Sequence, residues 1–142
     1  MAKDWTKTEA FAEYGVECAN SRWSWSGRSP DGTTVALTFW SDRFVDFKSQ
    51  PIVYRDEGWG DDVERVRRPG NKERINNIKF ALENLSGIVR VVMAKAKDVK
   101  AHPREIESCW PQPKLVMRIT HFDELTGEWA AESVEATDAH RT

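Results

Sequence analysis

The stretch from Asn71 to Ala96, NKERINNIKFALENLSGIVRVVMAKA, decides how the chain folds. Ile75, Ile78, Leu82 and Leu85 recur at i, i+3, i+7 and i+10, which is one apolar stripe of an α-helix running from about Lys72 to Leu85. Asn71 serves as its N-cap, Glu73 sits favourably against the first-turn dipole, and Ser86-Gly87 stops it. Phe80 points away from the stripe and calls for a second partner. The helix feeds straight into Ile88 to Ala96, whose Ile88, Val89, Val91, Val92 and Met93 read as the strongest strand of the chain.

Upstream, Arg22 to Arg28 alternates Trp23 and Trp25 with Ser24 and Ser26, a half-buried strand. Ser29-Pro30-Asp31-Gly32 is a turn, with Pro presetting φ and Gly supplying a positive φ. The return strand, Thr33 to Trp40, is apolar on both faces and is therefore predicted to lie inside the sheet. Residues 4–14 form an amphipathic pattern with Trp5, Thr8, Phe11 and Ala12 on one side, ended by Gly15. Phe44, Val45, Phe47 and then Ile52 to Tyr54 suit short edge segments split by Pro51, while Arg55 to Gly70 reads as a long exposed loop. Downstream, His102 to Cys109 is predicted to be a short helix with Pro103 at its first position. Lys114 to Phe122 is a strand, Asp123 to Gly127 a hairpin loop, Glu128 to Val134 the return, and the tail from Glu135 is polar and frayed. The expected class is α+β: one domain over residues 1–142, with a small, mostly antiparallel curved sheet or barrel of five or six strands and two or three flanking helices.

The 142 residues carry a net charge of -2, which excludes a wholesale basic nucleic-acid coat but not a local basic patch. No apolar run approaches the ~18 residues of a membrane span, and the N-terminus has no apolar leader. Two cysteines, Cys18 and Cys109, make no disulfide framework, so a reduced cytoplasmic setting is expected. Cys18, Cys109, His102 and His121 lack zinc spacing, and there is no Gly-rich phosphate loop, so neither metal nor cofactor is expected.

Two features carry a functional expectation. Seven tryptophans are many for this length. Trp23, Trp25 and Trp40 lie on the paired strands, where core packing is the commoner use and a stacking pocket for a planar ligand the alternative. Trp59, flanked by Gly58, Gly60, Asp61 and Asp62, suits a pocket wall or lid. The second feature is Arg65, Arg67, Arg68, Lys72 and Arg74, five cations within ten residues that also include Asn71, at the entry to the helix. This is either a solvated face or a phosphate-contacting patch, which Lys95, Lys97 and Lys100 would extend. No catalytic residue stands out. Pro30-Asp31 with Asp46-Phe47-Lys48 fits a loose nuclease spacing, but eight strand residues at ~3.3 Å each separate the carboxylates by roughly 25 Å.

Gly70-Asn71-Lys72, a helix, and then Val89-Arg90-Val91 resembles a stretch of the SRA (SET and RING-associated) domains, within the wider PUA-like barrel group that includes EVE and YTH domains. The resemblance implies a barrel whose pocket holds a modified or flipped base between aromatics, with Asp42, just after Trp40, facing the base edge. The leading expectation is a non-enzymatic module that binds DNA or RNA, without membrane association. One alternative is a phage or mobile-element interaction protein that inhibits a host nucleic-acid enzyme, with Asp56, Glu57, Asp61, Asp62 and Glu64 mimicking phosphates and Trp and Arg anchoring the interface. The other is a metal-dependent nuclease in which Asp42, Asp46, Lys48 and Glu64 converge.

Overall fold

β-Branched residues at Ile88, Val89, Val91 and Val92 make β4 (Ile88–Ala96) the central strand of a six-stranded mixed sheet. The computed structural model describes residues 5–18, 20, 24–101 and 104–135. The other strands are β1 (Ser26–Arg28), β2 (Val35–Trp40), β3 (Val53–Asp56), β5 (Ile106–Phe122) and β6 (Trp129–Val134), in the order β1-β2-β4-β5-β6-β3. All pairs are antiparallel except β2–β4, in which Leu37 faces Val91 and Trp40 faces Ala94 in parallel register. Three helices flank the sheet among the described residues: α1 (Lys7–Ala12), α2 (Val63–Arg67) and α3 (Pro69–Asn84). The α+β class therefore holds, but the sheet is not closed into a barrel. Its curl is marked by a lone bridge between Phe44, which follows β2, and Tyr54 on β3.

β2 is buried along its whole length, as its two-faced apolar pattern requires. Val35, Leu37 and Phe39 join Tyr54, Ile78, Ala81, Val91, Met117 and Trp129 in the core beneath α3. Ala36 and Trp40 join Phe11, Val16, Val92 and Cys109 beneath α1. The Ser29–Gly32 turn forms as expected, with Gly32 N–H donating to Ser29 O at 2.9 Å and Gly32 at φ 73. Phe80 finds its second partner in Arg28, whose guanidinium lies 3.9 Å from the ring centre. At the far end of α3, Ser86 and Gly87 adopt positive φ, and Gly87 N–H returns to Ala81 O at 2.9 Å.

Several expectations are corrected. The Arg55–Gly70 loop contains the end of β3 and the short helix α2, which is capped by Asp62 Oδ1 accepting from Arg65 N at 3.2 Å. An Asp before Val-Glu-Arg was the readable signal for that cap. Asn71 does not cap α3. The helix begins at Pro69 with Arg68 in the N-cap position, which leaves the Asn71 side chain free for other contacts. The apolar stripe is also turned: Ile78 is fully buried but Leu82 is 42% exposed, and the inward face instead carries Asn71, Arg74 and Asn77. The predicted helix at residues 102–109 lies partly outside the described residues, and Ile106 to Cys109 is strand. Ala94↔Cys109 and Ala96↔Ile106 pairing with β4 overrides the local Pro signal. Trp23, the residues before Trp5 and those beyond Glu135 also fall outside the described residues.

One irregularity ties α1 to the sheet. The β4–β5 register jumps between Arg90↔Val116 and Val92↔Pro111, leaving Val91 without a partner on β5. The Tyr14 hydroxyl fills the gap, donating to Val91 O at 2.6 Å and accepting from Gln112 N at 2.9 Å. No helix among the described residues is long and apolar enough to cross a membrane.

Candidate functional site

Polar residues are buried on the inward face of α3 because each has a partner on another element. Asn77 Nδ2 donates to Ser26 Oγ at 2.8 Å on β1. Asn71 Nδ2 donates to Thr126 O at 2.8 Å in the β5–β6 hairpin and to Val66 O at 3.0 Å, while its Oδ1 accepts from Arg74 Nη2 at 3.1 Å. These bonds fix α3 against both ends of the sheet and aim Arg74 at the end of β3.

Asp56 closes β3 there, with its side chain wholly buried. Three guanidinium groups surround it: Arg65 Nη2 at 3.3 Å, Arg74 Nη1 at 3.4 Å and Arg43 Nε at 3.7 Å. Trp59 Nε1 donates to Asp56 Oδ1 at 2.8 Å and to its backbone O at 3.1 Å. The Arg65 guanidinium lies 4.3 Å above the Trp59 ring. Glu128 Oε2 accepts from Gly58 N at 2.6 Å and Trp59 N at 3.1 Å, holding this loop to the start of β6. Trp59 is thus a buried support beneath the arginines, 6% exposed, and not an open lid.

One buried carboxylate among three guanidinium groups, Arg74 buried and Arg43 and Arg65 half-buried, leaves positive charge in excess. Burial lowers the Arg65 pKa from its ordinary value; Asp56 opposes that, and Arg43, Arg74 and Arg104 add to the lowering. Such crowding is relieved by an anion.

Above this cluster lies a cleft lined by Arg65, Arg68, Arg74 and Arg104, with Asn71 and Asp62, and walled by Trp25 and Trp40. The two indole rings are 5.4 Å apart and inclined at 49°. Trp40 is 5% exposed, and Trp25 is the more open ring. Arg104 lines the cleft with its side chain largely buried. Its guanidinium lies 5.1 Å from the Trp40 ring and forks onto Asp42 at 2.7 and 2.9 Å. Against the burial that raises it, this fork holds the Asp42 carboxyl below its ordinary pKa. Arg74 and Arg104 each retain a buried Nε–H with no acceptor. Five arginines (43, 65, 68, 74 and 104) against Asp42, Asp56 and Asp62 leave a net charge of +2 around the cleft.

The structure therefore brings Trp25, Trp40, Arg65, Arg68, Asn71 and Arg74 to one place. Asp42 stands beside it, bound to Arg104, while Arg67 and Lys72 are exposed and outside the lining. Sequence reasoning missed Arg104, Arg43 and Asp62 as parts of the site and read Asp56 as a surface acid. Only the Asp62 cap left a local signal. Lys95 and Lys97 are exposed; Lys95 pairs with Glu107 across the β4–β5 ladder and Lys97 with Glu105 just beyond its end. Among the described residues no three His, Cys, Asp or Glu side chains stand together as metal ligands.

No protein-family model, curated protein or solved structure matches this chain.

Proposed function

We propose that the protein is a nucleic-acid-binding module whose arginine–tryptophan cleft takes a backbone phosphate and an adjacent unpaired or flipped base. The observation that carries this reading is the convergence of Arg65, Arg68, Arg74 and Arg104 with Trp25 and Trp40 in one cleft of net positive charge. Guanidinium forks match phosphate oxygens, and a base would stack on the half-buried Trp25 by displacing the Lys7 ammonium now 4.9 Å over its ring, with stacking of ~1–3 kcal/mol per base. The stretch that resembles SRA domains begins at Gly70-Asn71-Lys72, and its Asn71 lines this cleft. For the inhibitor reading, Asp56 is buried among arginines and Asp62 caps α2, which leaves only Glu57, Asp61 and Glu64 exposed as surface phosphate mimics.

The test is tryptophan fluorescence during titration with short single-stranded and duplex oligonucleotides, plain and cytosine-modified, at low and moderate salt. Saturable quenching that weakens with salt is expected. Arg68→Glu should abolish it, whereas Arg67→Glu, outside the cleft, should weaken it only slightly. No response at low salt would refute the reading.

A further inference from the structure

Resting on that reading, we infer that the base is taken by a second groove beside the arginine cleft, and that Lys7 holds its place on Trp25 in the free protein. The groove, about 450 Å³, shares Trp25 and Arg104 with the cleft. One nucleotide can therefore set its phosphate among the arginines and its base in the groove.

The two recesses differ in chemistry. Arginines dominate the first, whereas Trp5, Ile106 and Cys109 give the second an apolar wall and Ser108 adds a hydroxyl that donates or accepts. Cys109 Sγ lies 3.8 Å from Trp5 O, which joins the approach to α1 to the β5 wall. Glu105 and Glu107 also line the groove, but their carboxylates face Lys97 and Lys95 at 3.3 and 3.5 Å. Apolar and aromatic walls with a few polar groups suit a flat, uncharged ring better than a phosphate.

Lys7 is the occupant that such a ring replaces. Its ammonium lies 4.9 Å over the Trp25 ring and makes neither hydrogen bond nor ion pair among the described residues. Burial lowers its pKa, against Cys18, Cys109 and Glu73, so the charged form is penalised where it sits. Lys7 is the first residue of α1, and the helix is capped independently by Thr6 and Glu9. The flexible lysine stem can thus swing out while the helix stays in place. The contact is a latch: a base must outcompete the cation for the indole face.

The experiment measures fluorescence anisotropy of end-labelled single-stranded 10-mers at low salt, either base-bearing or abasic with the same phosphates. The ratio of the two affinities isolates the base from the backbone charge. Lys7→Ala should raise the preference for the base-bearing strand at least threefold, and Lys7→Arg, a stronger partner for the ring, should lower it. Ser108→Tyr, at an exposed strand position, should fill the groove and bring the ratio near one while abasic binding persists. Circular dichroism checks each fold. A ratio unchanged by both Lys7 variants overturns the latch, and one unchanged by Ser108→Tyr overturns the groove as the base site; both leave nucleic-acid binding intact. Absence of binding by either strand to the unmodified protein overturns the nucleic-acid reading itself.

Discussion

Trp59 donates its indole N–H to the Asp56 carboxylate at 2.8 Å, and the same carboxylate oxygen lies 3.3 Å from Arg65 Nη2. A neutral donor and a cation thus share one buried acceptor, which fixes where the guanidinium can lie. Arg65 stacks on the ring that helps to hold its counter-ion. The positive cleft is built on this arrangement, because Arg65 and Arg74 belong both to the Asp56 cluster and to the cleft lining.

Asp56→Asn should therefore destabilise the fold by about 3–5 kcal/mol, the usual effect of removing one partner of a buried ion pair. Urea unfolding would measure it. The variant should also gain more stability from added sulfate or phosphate than the unmodified protein does, because three uncompensated guanidinium groups remain. An unfolding midpoint equal to that of the unmodified protein would refute the central role of Asp56.

Gly127→Ala and Gly58→Ala separate backbone strain from side-chain clash. Both glycines have positive φ, 91 and 92, so each substitution carries backbone strain of roughly 1–3 kcal/mol. A Cβ at Gly58 meets open space, whereas one at Gly127 runs into the Asn71 amide. Gly127→Ala should thus unfold at lower denaturant than Gly58→Ala. It should also weaken ligand binding, because Asn71 positions Arg74. Equal unfolding midpoints would argue against tight packing of Asn71 on the hairpin.

Asp42→Asn should cost about 1–3 kcal/mol in urea unfolding, less than Asp56→Asn, because the Arg104 side chain whose partner it weakens is only 7% exposed while Asp42 itself is partly solvated. Two charge-assisted hydrogen bonds from Arg104 are weakened, and the net charge around the cleft rises by one. Affinity for an anionic strand should increase several-fold in a direct titration. Unchanged affinity would mean that Arg104 does not reach the ligand.

Glu73 gives the pH prediction. Burial raises its pKa above the ordinary 4.5, with the Ser24 hydroxyl and Lys7 opposing. One carboxylate oxygen is buried without a partner. An acid with a raised folded-state pKa binds more protons folded than unfolded between the two pKa values, so its contribution to stability falls as pH rises through that window. Glu73→Gln should remove this decline upward from about pH 4.5 and leave the variant relatively more stable at pH 7 than at pH 4. Parallel stability–pH curves for the two proteins would contradict the burial argument.

The sequence by itself determined the α3–β4 unit, the Ser29–Gly32 and Asp123–Gly127 turns, and the interior position of β2. Each follows from local rules: a 3.6-residue period, turn residues that supply positive φ, and a strand apolar on both faces. It also placed Trp25, Trp40, Arg65, Arg68, Asn71 and Arg74 among the candidates, although it did not bring them together. Tertiary structure decided the rest. Ile106 to Cys109 became strand because β4 offered a pairing edge. The inward face of α3 became polar because Ser26, Thr126 and Asp56 supplied partners from distant parts of the chain. Arg104 entered the site from a segment whose local sequence pointed to a helix. A buried ion cluster depends on partners far apart in sequence, and periodicity and turn chemistry report only what neighbouring residues do to one another.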